Sequence, residues 1–347
     1  MSIAVLIALV LTSFIVSLAM TGALRKVGHR LARLDRPNER SLHDEPRPRT
    51  GGLAILAASG IGGATVALLS GANADWAWIA TGSGMIAAVS FLDDRIQLSP
   101  VPRFLVHLFA SSIVVAGGVR FGASTLQVLL PDVAVAIAIV LGLTWTTNLF
   151  NFMDGLDGFA GGMAVVGFAA FAWIAWRAGA ATLAGMTGVL AAAAGGFLIF
   201  NRPTAQIFMG DAGASTLGFL TGSIAVLGVR DGVWPWQVAG LIFSPFFVDA
   251  TVTLARRIAQ REKVWLPHRS HYYQRLVRAG WSHCRTVLWE YVLMLGCAAT
   301  AIVGMERGWG SWRPVLMSWA AVYAACMWLV NVIEGHQRES PGRAERT

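Results

Sequence analysis

Charge is what this chain lacks most: only 13% of its 347 residues are Asp, Glu, Lys or Arg, against about a quarter in an ordinary soluble domain. A surface so poor in charge cannot face water on all sides. A hydrophobic share of 55% is equally foreign to a disordered chain. Cysteine is nearly absent too. Cys284, Cys297 and Cys326 form no CxxC pair, which removes a disulfide-stapled secreted module and gives no metal or redox signal. These thiols are expected to pack as small buried hydrophobes. No internal repeat with a period of about 20 to 50 residues is visible. Long apolar runs are what is present, and they make the chain a polytopic membrane protein.

A bilayer core about 30 Å thick takes about 20 apolar residues per helix. Such runs lie near 2–22, 52–70, 76–92, 103–119, 133–149, 159–177, 180–200, 213–229, 235–255, 286–304 and 313–333. The expected fold class is therefore all-α, a polytopic integral membrane protein of eleven transmembrane helices. The first run has no positive charge before it, while Arg25, Lys26, Arg30 and Arg33 follow it. That is the pattern of a retained helix rather than a cleaved signal peptide. With the N-terminus outside, twenty-two of the 27 Lys and Arg residues fall in inner loops and the tail, as the positive-inside rule requires. The N-terminus is read as periplasmic and the C-terminus as cytoplasmic, in a bacterial inner membrane. Residues 1–333 form one transmembrane catalytic domain with cytoplasmic loops 23–51, 93–103, 148–158, 201–212 and 256–285; 334–347 is expected as a disordered tail. Most of the net charge of +8 then lies where anionic headgroups and phosphate compounds are. No soluble domain is left to carry a nucleic-acid surface.

Five polar groups on this inner side exceed what topology explains. Arg36-Pro-Asn-Glu-Arg-Ser-Leu-His43 runs on through Pro46-Arg-Pro-Arg-Thr-Gly-Gly52. Its prolines make it a loop, Gly51-Gly52 allow close backbone approach, and Arg40, Arg47 and Arg49 suit phosphate oxygens. Asp93-Asp94-Arg95 sets two adjacent carboxylates at the membrane edge, where they need Arg95, a divalent metal or a substrate proton. Asn148-Leu-Phe-Asn151-Phe-Met-Asp154-Gly-Leu-Asp157-Gly repeats an oxygen-bearing side chain every third residue. Each such step turns an ideal helix by about 300°, so Asn148 and Asp157 end on opposite sides. The glycines favour a partly unwound segment whose oxygens suit Mg²⁺ and sugar or base hydroxyls. Phe208-Met-Gly-Asp211 leads into the eighth run, where Asp211 is either an N-cap or a metal ligand beside a helix start that faces phosphate. Last comes Trp265-Leu-Pro-His268-Arg269-Ser-His271-Tyr-Tyr-Gln-Arg275, which lacks further zinc ligands at a recognisable spacing and suits a diphosphate or sugar. Asp249, inside the ninth run, is an isolated intramembrane carboxylate whose expected partner is Arg256 or Arg257. A transporter would bring more such residues to the midplane; metal-bridged phosphate chemistry at the inner leaflet fits better.

These ordered motifs, from Pro37 to about His283, resemble the bacterial polyprenyl-phosphate N-acetylhexosamine-1-phosphate transferases, the membrane family that also holds the phospho-N-acetylmuramoyl-pentapeptide transferase. The resemblance implies transfer of a sugar-1-phosphate from a UDP-sugar donor to an undecaprenyl phosphate acceptor, with Mg²⁺ (or Mn²⁺) and release of UMP. It places the metal on Asp211 and Asn151, and the catalytic set on Asp93, Asp94 and Asp154. For substrate binding it implies Asn148, Asp157 in the uridine pocket, Phe208 stacked on uracil, His268, Arg269 and His271 at the sugar, and His43 and Arg49 from the first loop. A homodimer is compatible with it. Two departures matter. The pentapeptide-transferring branch has a run of histidines where this chain has His268-Arg-Ser-His271, and Ser41 replaces a lysine common in GlcNAc-type loops. Both look like the branch that initiates O-antigen or capsule glycans. Rival readings are an intramembrane Mg-dependent prenyltransferase, which leaves Phe208–Asp211 and the His-Arg-Ser-His loop idle, and a secondary transporter.

Overall fold

The structure, a computed structural model, describes residues 1–27, 34–35, 46–122, 130–263 and 268–339. Helices dominate it: α1 (Ile3–Val27), α2 (Gly51–Ser70), α3 (Ala74–Ile96), α4 (Pro100–Ala116), α5 (Asp132–Met153), α6 (Phe159–Arg177), α7 (Ala181–Asn201), α8 (Gly210–Arg230), α9 (Trp236–Ile242), α10 (Ser244–Ala259), α11 (Tyr272–Arg278), α12 (His283–Glu306) and α13 (Arg313–Glu339). Two residue pairs form a short antiparallel ladder, β1 (Leu34–Asp35) on β2 (Arg47–Pro48).

Every apolar run read from the sequence carries a helix. Among the described residues eight are long and apolar enough to cross a membrane, or nine if α9 and α10 count as one bent span. The two runs outside that set have physical reasons: α3 carries Asp75, Asp93, Asp94 and Arg95, and α4 has only 17 residues. The ninth run, expected as one helix, is broken by 79° between α9 and α10. Pro245 at the start of α10 lacks an N–H and disfavours helix in the residue before it, which forces the break. At the other terminus α13 continues past the expected border at 333 to Glu339. The cysteines divide: Cys297 is buried, Cys284 exposed and Cys326 in between.

The bundle is built around α7 and α8. α7 packs on α1, α2 and α6, and α8 on α2, α3 and α5. Of the spans, α8 is 83% buried across its apolar window, whereas α1 and α13 are 11% buried. Large apolar side chains such as Leu68, Val133 and Met317 point outward, as lipid contact requires. α3 and α8 are clasped at the end of the bundle remote from the acidic motifs, where Arg230 meets Asp75 at 2.7 Å and the Gly118 carbonyl at 3.0 Å.

Candidate active site

The site follows from how closely α8 approaches its neighbours. A Cβ on Gly218 would lie 2.4 Å from the Thr146 carbonyl oxygen, and one on Gly222 2.5 Å from Thr146 Oγ1. Gly218 also faces Phe150 and Gly222 faces Leu143, so α5 and α8 run antiparallel in close contact. Two turns back toward the start of α8, the same register sets Asp211 against Asn151, whose Nδ2 donates to Asp211 Oδ2 at 3.4 Å. On the other flank, Asp94 at the end of α3 accepts the N–H groups of Asp211 and Ala212, both at 3.2 Å. Orphan amides at a helix start need such a partner. Asp94 therefore caps α8 from outside, and Asp211 is not needed as the N-cap.

The released carboxylate of Asp211 meets cations. Arg103 Nη1 lies 3.1 Å from its Oδ2 and Arg49 Nη2 3.5 Å from its Oδ1. Arg103 also pairs with Asp93, which accepts the Leu98 N–H at 2.6 Å. Of the acidic pair, Asp93 is served by Arg103, from the first turn of α4, and Asp94 feels the charge of Arg49; Arg95 lies over Phe91 with 4.8 Å to the ring centroid. Carboxyl groups outnumber guanidiniums at the core of the site, Asp93, Asp94, Asp154 and Asp211 against Arg49 and Arg103. Asp94, beyond the apolar stretch of α3, has its carboxyl pushed up to about 7 by burial and then by the charge of Asp211. Asp154 is raised well above the usual carboxylate range, chiefly by burial, with Asp211, Asp94 and Asp157 adding to it and Arg49 opposing.

An oxygen-only, electron-rich donor set suits a hard divalent cation. Among the described residues no three His, Cys, Asp or Glu side chains converge to cage an ion alone. Mg²⁺ does not need such a cage, because it retains waters and takes one or two carboxylates plus substrate phosphate oxygens. Asp211 and Asn151 fit that demand.

Beside this cluster two loops are stitched together. α5 stays helical through Asn151 to Met153, so only Asp154 to Gly158 are unwound. Asp157 Oδ2 accepts the Ala205 N–H at 2.9 Å. Asn201, at the end of α7, accepts the Gly158 N–H and donates to the Ile207 carbonyl, each at 3.0 Å. Phe208 is held by its backbone: its N–H donates to the Pro48 carbonyl, and its carbonyl accepts the Gly51 N–H, both at 2.9 Å. The Arg47–Gly52 segment is thereby tied to the Phe208–Asp211 turn, and Gly52 lies against Gly213 in the close approach expected of it. Removing the Asn201 carboxamide leaves two buried backbone groups orphaned. Asn201→Ala is expected to cost about 2 kcal/mol or more, read as a lowered thermal midpoint, and Asn201→Asp, which still accepts from Gly158 but sets a carboxylate oxygen against the Ile207 carbonyl, is expected to lose at least as much.

The His-Arg-Ser-His loop docks next to the unwound segment. Tyr273 is fully buried, its hydroxyl donating to the Phe152 carbonyl at 3.4 Å and its ring 4.9 Å from that of Phe159. Asp249 is not paired with Arg256 or Arg257. It accepts the Tyr272 N–H at 3.0 Å and the Tyr273 N–H at 3.3 Å, and lies 3.2 Å from His271 Nδ1. Arg256 instead donates to the Ser270 carbonyl and Arg257 to Glu262, each at 2.6 Å. The kink at Pro245 is what turns α10 so that Asp249 meets this loop. His268 and His271 face one another with ring centroids 4.9 Å apart.

A family model for glycosyl transferase family 4 matches residues 76–229. The chain is similar to a probable undecaprenyl-phosphate N-acetylglucosaminyl 1-phosphate transferase of Bacillus subtilis, 31% identical over 307 residues that cover 85% of this chain and 84% of the relative. It belongs to that family. It is also similar to decaprenyl-phosphate N-acetylglucosaminephosphotransferases of Mycolicibacterium smegmatis, 28% identical over 84% of this chain and 80% of the relative, and of Mycobacterium tuberculosis, 28% identical over 84% and 81%. As a member of glycosyl transferase family 4 the chain is an enzyme, a multi-pass membrane sugar-phosphate transferase. The matched stretch holds Asp93, Asp94, Asn151, Asp154, Asp157, Phe208 and Asp211; Asp249 and the histidine loop lie beyond it.

Asn148 is back-bonded to the Thr144 carbonyl at 2.7 Å, and His43 lies outside the described residues. Three contributors went unnoticed in the sequence. Arg103 was absorbed into the positive-inside count, Asn201 lies in an apolar run with no motif of its own, and His107 sits one turn beyond Arg103. His107 is 3% exposed, near Asn148, with neither ring nitrogen in a hydrogen bond of good geometry. A histidine buried in an apolar helix is the signal that points to it.

Proposed function

We propose that this transferase moves an N-acetylhexosamine-1-phosphate, GlcNAc or a related amino sugar, from a UDP-sugar to undecaprenyl phosphate and releases UMP. We place the reaction at the cytoplasmic face of the bacterial inner membrane, as the first membrane step of an envelope polysaccharide such as O-antigen or capsule. The observation that carries the reading is the meeting of Asp211, Asn151, Arg103 and Arg49 at one end of the bundle. The names of the relatives, which specify polyprenyl phosphates and N-acetylglucosamine phosphate, support it.

The chemical difficulty is repulsion. Lipid phosphate and nucleotide diphosphate are both anions, and bringing them together at a membrane edge is costly unless fixed positive charge awaits them. Arg103 and Arg49 supply that charge on rigid supports, the first turn of α4 and the strap tied to Phe208. Asp211 and Asn151 would hold Mg²⁺, which when bound neutralises the donor diphosphate. Asp157 and Phe208, on the loops stitched by Asn201, would receive the nucleoside, and His268, Arg269 and His271 the sugar. An acceptor phosphate oxygen attacks the β-phosphorus, the bond from that phosphorus to the bridging oxygen breaks, and UMP departs with that oxygen. A phosphate monoester has its second pKa near about 6 and is already largely ionised, so a strong base is unnecessary. Asp93, engaged by Arg103 and the Leu98 amide, serves to orient Arg103, and Asp94 to fix the start of α8.

The test is UMP release by purified protein given undecaprenyl phosphate and a panel of UDP-N-acetylhexosamines. Turnover is expected with at least one donor, is expected to vanish in chelator and to return with Mg²⁺. Full turnover in chelator would refute the metal assignment, and substrate flux with no nucleotide turnover would favour a transporter.

A further inference from the structure

Arg275 is 7% exposed, and its partners come from the far end of the chain. Its Nε donates to Glu334 Oε1 at 2.9 Å, and its Nη2 to Glu334 Oε2 at 2.7 Å and to Asn331 Oδ1 at 2.5 Å. Asn331 and Glu334, three residues apart on α13, present both acceptors on one face. A forked arginine–carboxylate pair fixes direction as well as distance. The guanidinium also lies over the Tyr272 ring, 4.8 Å from its centroid.

α11 is seven residues long, too short to persist on helix propensity alone. It is held from two sides. Asp249 of α10 takes the amides of Tyr272 and Tyr273 at its start, and Glu334 with Asn331 takes the side chain of Arg275 in its last turn. The N-cap of α11 is His271, so whatever fixes the helix also fixes the His268–His271 loop. α13 is otherwise peripheral, with 11% of its apolar window buried, which makes this polar clamp its main specific engagement with the site end of the bundle.

We infer that Glu334, supported by Asn331, is a positioning residue for donor recognition: from the last helix it holds α11, and through α11 the His268-Arg269-Ser270-His271 loop, in its binding-competent place. This rests on the reading that the loop contacts the donor sugar. If the loop is competent only part of the time, apparent donor affinity falls by that fraction while chemistry in the bound complex is untouched.

The experiment uses the full-length protein in lipid nanodiscs. Glu334→Ala is expected to raise the donor KM about tenfold and to leave kcat within about threefold and the acceptor KM unchanged. Glu334→Asp, which keeps the charge, is expected to restore most of the donor KM. In the same variants, amide hydrogen exchange across 271–278 is expected to accelerate in Glu334→Ala, with exchange in α6 and α8 unchanged. Unaltered exchange at 271–278, or faster exchange with an unaltered donor KM, would overturn the inference. A wild-type protein releasing no UMP from any donor would remove the functional reading alone, since the exchange comparison would still decide whether α13 holds α11.

Discussion

Asp211→Asn is expected to lower UMP release by about a thousandfold or more, with the protein still folded and inserted. The substitution is isosteric, and Asp94, not Asp211, caps α8, so the helix keeps its start. What disappears is the single negative charge that faces Arg103, Arg49 and Asn151 together. Without it the two guanidiniums lose their common anchor, and on the proposed reading the divalent cation would lose its carboxylate. A factor of a thousand is about 4 kcal/mol of transition-state stabilisation, the scale seen when a preorganised charge is removed from a reacting phosphoryl or acyl group. Steady-state UMP release checks it, alongside size-exclusion behaviour as a measure of folding. An Asp211→Asn variant retaining a tenth of wild-type turnover at saturating Mg²⁺ would contradict the assignment.

Gly52→Val is expected to abolish accumulation of folded protein. A Cβ at this position would sit 2.4 Å from Gly213 Cα and 2.8 Å from the Met209 carbonyl oxygen, and neither is a side chain that can swing aside. The only relief is to part α2 from α8, which would also break the hydrogen bonds that the Gly51 and Gly52 N–H groups donate to the Phe208 and Met209 carbonyls. Overpacking of this kind costs about 3 kcal/mol or more before those bonds are counted. Gly60→Ala serves as the comparison, since nothing lies within 4 Å of its would-be Cβ. Monodisperse yield and thermal midpoint should collapse in the first and hold in the second.

The spans were legible because lipid imposes one demand, a run of apolar residues of fixed length, and a helix is read from composition alone. The gathering of acidic motifs at one end was legible for a related reason: charge is excluded from the spans and must collect at their tips. Pairings were not. Asp94 and Asp211 stand 117 positions apart, and their meeting depends on which residues of α3, α5 and α8 oppose one another. That register is set by Gly218 and Gly222 where α8 meets α5 and by Gly82 where α3 meets Phe219 of α8, glycines indistinguishable in the sequence from the many others that suit membrane packing. The partner of Asp249 is hidden in the sequence for the same reason. Arg256 and Arg257 are near in sequence, but the kink at Pro245 and the return of α11 bring His271 nearer in space. Arg275 and Glu334 are separated by the whole of α12 and most of α13, and no local pattern joins them.

α3 and α8 are tied at both extremities, by Asp94 on the amides of Asp211 and Ala212 and by Arg230 on Asp75. Two rods pinned at each end cannot slide lengthwise past each other, though they can lean as a unit. A thinner or thicker bilayer, which spans meet by tilting, would therefore incline the pair while leaving the spacing of its acidic groups constant.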